Sequence, residues 1–319
     1  MNGETQPLKT LTYNIDRPLI DVLNENTFTV SAEVIPPRNG EARAHTMERL
    51  QKVVEGSVDF VSVTRGAGGS LRGGSLPIAQ AIKDHFTKTC IAHFTCRDLT
   101  PQESENLLVD HHYFGITNIL ALRGDPPMGQ EKWEPRPGGF SYAYELIDQI
   151  RKMNQGEFLE REGFKVASRE QTNFCIGCAV YPEHEDPEER IRFAKLKFEH
   201  GAQYGITQML FDPVLYENFV SDLNKAGVFS PILPGVRILR SRKQAKIMTD
   251  RFGCSVPQWY VDALPENHER GVVNLDVLPP FIELVERLKK AGAPGVHVFV
   301  LNDIELFSGA LHQLQGTSS

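Results

Sequence analysis

Short apolar runs alternate with segments of helical period along most of the chain. Eight of these runs are rich in β-branched and aromatic residues, which is typical of buried strands. Between them, apolar residues recur at helical spacing, as at Ile78, Ile82 and Phe86, which share one helix face. The predicted strands are Phe28–Val34, Asp59–Thr64, Cys90–Thr95, Thr117–Leu122, Phe174–Val180, Gly205–Phe211, Ile232–Ile238 and Val296–Leu301.

Strands that alternate with helices indicate βα units and a parallel sheet. Eight such strands, apolar on both faces, favour a closed (β/α)8 TIM barrel of the α/β class over an open doubly wound sheet. We therefore predict a barrel domain over residues 28–319. Residues 1–27 are predicted to form an N-terminal helical extension, with a helix around Leu19–Leu23 that plugs one end of the barrel.

Capping residues and turn formers locate several helix ends. Thr100 and Glu103 have the spacing of a capping box that opens a helix, and Gly201 and Gly292 are placed to end helices as C′ residues. The Pro- and Gly-rich stretch 126–140 predicts a long loop after the fourth strand. This loop falls on the carboxyl face, where barrel enzymes carry their chemistry.

Composition excludes several functional classes. The net charge of −7 over 319 residues argues against a nucleic-acid binder. We expect no membrane span and no signal peptide, because no apolar run approaches the roughly 18 residues of a span and the N-terminus lacks a charged and apolar leader. Five cysteines, an odd number, indicate a reducing, cytoplasmic location. Cys175 and Cys178 would point to opposite faces of a strand, so we predict no metal site there.

Polar side chains fall at the carboxyl ends of six predicted strands. Because the strands of a parallel barrel all end at one mouth, these side chains are expected to meet there. Barrel packing does not require polar groups at this position, so the cluster predicts an active site. Its members are Glu33, Thr64, His93, Thr95, Arg123, Asp125, Tyr181 and Gln208.

Two motifs in this set resemble those of the methylenetetrahydrofolate reductase family. Glu33–Arg38 reads EVIPPR and resembles the family's E-x-x-P-P-R segment at the first strand. Leu122–Pro127 reads LRGDPP and resembles its L-R-G-D-x-P segment, and the likeness extends from about residue 28 to 302. The resemblance implies a TIM-barrel enzyme that interconverts methylene- and methyl-tetrahydrofolate, with flavin adenine dinucleotide (FAD) as cofactor and NAD(P)H as cosubstrate.

The resemblance also implies roles for individual residues. Glu33 would be the general acid that protonates N10 of the folate, and an apolar surround would keep it protonated. The alternative is a salt-bridged glutamate at the barrel mouth. Asp125 would contact the pterin and the flavin, and its alternative is a capping residue for the turn before Pro126. Gln208 and Gln244 would contact the folate.

In the family, FAD lies across the barrel mouth. Ser141 is predicted as the N-cap of a helix whose N-terminus could receive an anionic group. Lys197 would pair with phosphate, and its alternative is a solvated helical lysine. The positions that would hold FAD are Thr64, His93, Arg123, Gly124, Asp125, Tyr142, Ala143, Tyr181 and Lys197.

Some positions depart from the family pattern. Asp303 stands where the family has an Arg that meets the folate tail, and an Asp would repel a carboxylate. Arg65 replaces a usual Tyr and, with Arg72, is a hypothetical replacement cation. Met248 stands where a Phe packs on the ligands. The family's polar contacts to adenosine are replaced, so we expect FAD to bind more weakly than usual. The replacing residues are Arg190, Phe193 and Leu196.

Two alternative functions stay open. One is the same reaction without tightly bound flavin, and the other is a non-reductive protein that binds methyl-tetrahydrofolate. The presence of Glu33 argues against the second, because binding alone needs no acid at N10. We further expect a small-molecule substrate, no nucleic-acid or membrane partner, and a homo-oligomer of undetermined subunit number.

Overall fold

The computed structural model describes residues 14–37, 39–41, 43–66, 73–126, 134–160, 169–269 and 271–316. Eight parallel strands close into a barrel in chain order, with the last strand paired to the first. The predicted (β/α)8 barrel is confirmed, and every strand lies within one or two residues of its predicted bounds. The strands are β1 (Thr29–Val34), β2 (Phe60–Val63), β3 (Thr89–Thr95), β4 (Asn118–Leu122), β5 (Cys175–Val180), β6 (Tyr204–Met209), β7 (Ile232–Val236) and β8 (Gly295–Phe299).

The helices form a ring outside the barrel. The predicted capping box is present, since Thr100 and Glu103 bond reciprocally at the start of α4. Gly201 and Gly292 follow helix ends with positive φ, as expected of C′ residues. The helices are α1 (Leu19–Glu25), α2 (Arg43–Val54), α3 (Ser75–Gln80, extended by a π-helical turn Ala81–His85), α4 (Pro101–Tyr113), α5 (Ala143–Asn154), α6 (Pro187–Glu199), α7 (Pro213–Lys225), α8 (Arg242–Phe252), α9 (Gln258–Asp262), α10 (Leu278–Lys290, preceded by a 3₁₀ turn Leu275–Val277) and α11 (Ile304–Gly316).

Alternating residues of the strands build two apolar cores. Outward-facing residues pack beneath the helices, whereas inward-facing residues such as Phe60 and Tyr204 fill the barrel. Gly177 is required beside Tyr204, because a Cβ there would come within 2.2 Å of the tyrosine ring. Cys175 lies in the inner core and Cys178 in the outer core, which confirms that the two thiols occupy opposite faces of β5.

Helix α1 covers the amino-terminal end of the barrel. Leu19 is fully buried in the inner core, and its N–H donates to Oδ1 of Asn118, the first residue of β4, at 2.6 Å. The same Asn118 donates to the carbonyl of Arg17 at 2.9 Å. Asp16 accepts the N–H of Cys90 at 2.8 Å. This end is therefore closed, and the carboxyl mouth is where a ligand would enter. Within the described ranges, no helix is both long and apolar enough to cross a membrane.

Candidate active site

Three predicted site residues lie on neighbouring strand ends at the mouth. Glu33 is in β1, Thr64 follows β2 and His93 is in β3, and all three side chains are buried. Strand alternation directs them inward together with Ser31, Ser62 and Ile91, which lie two residues earlier. The Oγ1 of Thr64 and the Nε2 of His93 have no hydrogen-bond partner among the described residues.

Glu33 and His93 face each other without forming a salt bridge. Their Oε2 and Nε2 atoms are 3.7 Å apart, which exceeds a hydrogen bond. Burial raises the pKa of Glu33 to about 8 and lowers the pKa of His93 to about 3. Near neutral pH the two groups are therefore a carboxylic acid and a neutral imidazole. This arrangement disfavours the alternative of a salt-bridged glutamate.

A histidine that the sequence analysis missed lies beneath this pair. The Nδ1 of His297 is 2.8 Å from the Oγ of Ser31, and its Nε2 is 3.0 Å from the Oγ of Ser62. Burial lowers the pKa of His297 to about 3, so it is a neutral imidazole that donates with one nitrogen and accepts with the other. Strand alternation could have indicated this inner layer of polar residues. Ser31 and Ser62 lie two residues before Glu33 and Thr64, so they point to the same inward face.

The segment after β4 carries Arg123, Gly124 and Asp125 at the mouth, with both charged side chains exposed. Gly124 has φ of +95°, and a Cβ there would lie 2.9 Å from the Cβ of Arg97. Arg97 is buried and donates Nη1 to the carbonyl oxygen of Asp125 at 2.6 Å. Arg97, which the sequence analysis did not select, thus holds this turn in place. Part of the predicted loop 126–140 lies outside the described residues.

Lys197 of α6 is partly buried and bonded to the backbone of β5. Its Nζ donates to the carbonyl oxygen of Ala179 at 2.8 Å and lies 5.2 Å from the ring centre of Tyr181. Burial lowers the pKa of this lysine. Desolvation, and then the negative charge of Asp125, raises the pKa of Tyr181, although its side chain is 46% exposed.

The start of α5 differs from the prediction. The N-cap is Tyr142 rather than Ser141, and Ala143 is the first helical residue. The Oε2 of Glu145 accepts the N–H groups of Ser141 and Tyr142 at 2.7 and 2.8 Å. A carboxylate therefore already occupies the positive end of this helix. The Tyr142 ring also stacks on Phe193, with 5.6 Å between ring centres.

The two predicted folate amides have different surroundings. Gln208 is exposed at the end of β6, and its Oε1 accepts the N–H of Met209 at 2.9 Å. Gln244 is buried in the first turn of α8, where its Oε1 accepts the N–H of Arg240 at 2.7 Å. Gln208 thus lies at the mouth, whereas the side-chain oxygen of Gln244 holds the loop after β7.

Asp303, in the loop after β8, pairs with two arginines in the loop after β7. The Oδ1 of Asp303 is 3.1 Å from Nη1 of Arg240, and its Oδ2 is 3.8 Å from Nη2 of Arg237. The sequence analysis predicted that Asp303 would repel the carboxylate of the folate tail. In the structure the Asp303 carboxylate lies between two guanidinium groups, so its own negative charge is compensated.

Three further departures from the family pattern form contacts within the protein. The guanidinium of Arg65 lies 4.8 Å from the ring centre of Phe94, which belongs to the outer core. Met248 is also buried in the outer core. Arg190 donates Nη1 to the carbonyl oxygen of Pro182 at 2.9 Å. The hypothesis that Arg65 is a replacement cation for the ligands is therefore not supported, and Arg72 lies outside the described residues.

Comparison with known proteins points to one family. The family model described as methylenetetrahydrofolate reductase matches residues 19–315. The 5,10-methylenetetrahydrofolate reductase of Escherichia coli (strain K12) is 30% identical over 309 residues, covering 92% of this chain and 95% of that protein. A probable methylenetetrahydrofolate reductase (NADH) of Oryza sativa subsp. japonica is 28% identical over 274 residues, covering 85% and 46%. The chain spans about half the length of this plant relative and of similar ones in maize and fission yeast.

One solved structure resembles the chain over nearly its whole length. It is an uncharacterized protein from Clostridium thermocellum that binds two copies of 5-methyl-5,6,7,8-tetrahydrofolic acid. The TM-score is 0.57 at 16% identity, with 94% of this chain and 99% of that chain covered. At this identity the likeness shows a shared fold.

Proposed function

Because the chain belongs to the methylenetetrahydrofolate reductase family, we propose that it interconverts 5,10-methylenetetrahydrofolate and 5-methyltetrahydrofolate, with NAD(P)H as electron partner. The observation that carries this proposal is a buried carboxylic acid at the barrel mouth. Glu33 has a pKa of about 8 and faces a neutral His93 that cannot take its proton near neutral pH.

Glu33 supplies the proton that the reaction requires. Opening the methylene bridge of the folate breaks the bond to N10, and protonation of N10 makes this nitrogen a better leaving group. A carboxyl group with a pKa near 8 is protonated at neutral pH and is still acidic enough to give the proton up. The remaining one-carbon unit on N5 is then an electrophile that accepts a hydride. The exposed Asp125 and Gln208 are the proposed pterin contacts at the same mouth.

The mouth suits the ring end of a flavin. The buried Oγ1 of Thr64 and Nε2 of His93 have no partner among the described residues, and buried polar atoms normally have one. Together with Arg123, Gly124 and Tyr181, these two residues would hold the flavin ring. When bound, the flavin supplies a carrier that takes a hydride from NAD(P)H and passes it to the folate.

The surface that would hold the other end of FAD already forms contacts within the protein. The Glu145 carboxylate occupies the start of α5, Lys197 bonds to a backbone carbonyl, and Tyr142 stacks on Phe193. These contacts favour a second candidate, the same folate reaction with weakly bound flavin or with direct hydride transfer from NAD(P)H. A protein that only binds methyl-tetrahydrofolate is the third candidate, and the protonated Glu33 disfavours it.

Two measurements test these candidates. The visible spectrum of the purified protein shows whether flavin co-purifies. Glu33→Gln is then compared with wild type in the separate half-reactions by stopped flow, with added FAD if needed. We expect the variant to oxidise NAD(P)H normally but to lose folate turnover by on the order of 10² or more. Normal folate turnover in Glu33→Gln would overturn the role of Glu33, and wild type without folate turnover would overturn the reductase proposal.

A further inference from the structure

Glu33 has to regain a proton after every turnover in the direction of methyl formation. The reaction adds one hydride to the one-carbon unit and one proton to N10, so each turnover leaves Glu33 as a carboxylate. Its side chain is only 11% exposed, and a folate at the mouth would cover this remaining surface. A path that does not use the mouth would return the proton while the folate is still bound.

The groups that the structure describes beside and beneath Glu33 do not supply this proton. His93 is a neutral imidazole, because burial lowers its pKa to about 3. In the layer beneath, the Oγ of Ser31 donates to a backbone carbonyl of β8 at 3.0 Å. Ser31 therefore accepts from Nδ1 of His297, whose Nε2 accepts from the Oγ of Ser62. Each of these hydrogens is already bonded within the protein, so the layer is closed.

A cavity on the outer side of β1 offers another path. It lies between β1, helix α2 and the segment from Val300 to Ile304 that begins α11, and most of its apolar lining belongs to the outer core. Its wall includes the buried Glu33 and the exposed Glu41. The cavity thus connects the proposed proton donor with the protein surface on the side away from the barrel axis.

The size and lining of this cavity fit water rather than an organic ligand. About 40 Å³ of it is accessible to water. One water needs roughly 10–15 Å³, so the cavity has room for about three, whereas a drug-sized ligand needs at least about 300 Å³. Polar partners line it as well as apolar ones: Glu33, Glu41, Thr46 and Arg49. Arg49 is fixed at the wall, because its Nη2 donates to the carbonyl oxygen of Leu301 at 3.0 Å.

We propose that waters in this cavity return the proton to Glu33 while a folate occupies the mouth. This inference rests on the proposed function. A hydronium ion at the exposed end gives its proton to the first water, the waters pass a proton along their hydrogen bonds, and the last one forms the O–H bond of the Glu33 carboxyl group. Carboxylate and hydronium ion thus become carboxylic acid and water. Glu41 and Arg49 face the cavity with opposite charges, so they leave no net charge that would repel the ion.

The test follows the Glu33 proton itself and needs no flavin. Infrared spectroscopy after mixing into D₂O records exchange of the protonated carboxyl group, whose band Glu33→Gln identifies by its loss. Exchange is measured with the mouth open and with 5-methyltetrahydrofolate bound. Thr46→Leu fills the cavity with an apolar side chain and removes a hydroxyl partner. With folate bound it should slow exchange by about tenfold or more, because the waters lose space and a hydrogen-bond partner. With the mouth open it should change nothing.

Two further variants complete the comparison. Thr249→Leu, at an exposed position of α8, is the matched control and should exchange like wild type in both states. Thr46→Val keeps the volume and removes only the hydroxyl, so it should slow the folate-bound exchange to a smaller extent even if Thr46→Leu does not fold.

Folate-bound exchange as fast in the Thr46 variants as in wild type would overturn the inference, and so would equal slowing with the mouth open. Folate-bound wild type that does not exchange at all would overturn it too. Wild type that binds no 5-methyltetrahydrofolate would overturn the proposed function, whereas tight binding with unchanged exchange would overturn this inference alone.

Discussion

Glu33 shows how one residue acquires its chemistry from its surroundings. Its side chain is a common acid, but it is buried at the inward-facing end of β1, where it faces His93. Both groups are neutral near pH 7, because burial disfavours the charged form of each. The same burial makes Glu33 a source of pH-dependent stability.

We expect Glu33→Gln to change how stability depends on pH. The folded protein holds the Glu33 proton up to about pH 8, whereas the unfolded chain releases it near the ordinary glutamate pKa of 4.5. The stabilisation is therefore complete below about pH 4.5 and is lost as pH rises through 8. Glutamine cannot ionise, so at about pH 8 the variant should exceed wild type in free energy of unfolding by on the order of 3 kcal/mol.

Urea unfolding at several pH values between about 5 and 8 measures this difference. Asp16, whose pKa is raised to about 6 by burial, contributes a slope of the same sign below pH 6 and is present in both proteins. It therefore cancels in the comparison. Parallel pH profiles for wild type and variant would show that the Glu33 proton is not held more tightly in the folded state.

At the scale of elements, the start of α5 decides what this helix can bind. The Glu145 carboxylate accepts two backbone N–H groups there, so the helix dipole is already compensated by the protein's own charge. Helix α4 is built in the same way, because Glu103 accepts the N–H of Thr100 at 2.8 Å. Glu103 in α4 and Glu145 in α5 thus occupy equivalent capping positions.

We expect Glu145→Gln to tighten the binding of FAD. The amide retains an oxygen acceptor for the backbone N–H groups but removes the negative charge that would repel a diphosphate. The gain should be a few-fold, since one charge at a helix end contributes about 0.3–1 kcal/mol. Flavin fluorescence quenching of the apoprotein measures the affinity, with Glu103→Gln as control. Equal affinities of Glu145→Gln and wild type would mean that the phosphates do not approach α5.

At the scale of the whole molecule, the two ends of the barrel have separate tasks. The amino-terminal end is closed by α1 and by polar contacts of Asp16 and Asn118. The carboxyl end carries the proposed site. Mutations at the amino-terminal end are therefore expected to change stability without changing the chemistry.

Asn118→Ala should lower the free energy of unfolding by about 2–4 kcal/mol, because it leaves the N–H of Leu19 and the carbonyl of Arg17 without their buried partner. The KM values for folate and NAD(P)H should stay unchanged, since Asn118 lies at the opposite end of the barrel. Thermal and urea unfolding measure the first effect and steady-state kinetics the second. Asn224→Ala on the exposed face of α7 is the control and should change neither. A stable Asn118→Ala protein would show that α1 is held by its apolar face alone.

The sequence by itself determined the barrel, its strands and several helix ends. These features depend on local pattern: alternation assigns Cys175 and Cys178 to opposite faces, and the spacing of Thr100 and Glu103 forms a capping box within one helical turn. The strand ends bring Glu33, Thr64 and His93 to one mouth for the same reason, because parallel strands end together.

Only the tertiary structure decided which charges meet. Asp303 and Arg240 belong to different strand–helix connections, so nothing in either segment indicates their pairing. Arg65 is near the site in sequence, yet its guanidinium packs over Phe94 on the outer face. Lys197 is a predicted FAD-binding position and Glu145 follows two others closely in sequence. In the structure each of these side chains is bonded to the protein's own backbone. The direction of a long side chain and the identity of its partner depend on packing between segments that are distant in sequence. Local residue spacing carries no information about that packing.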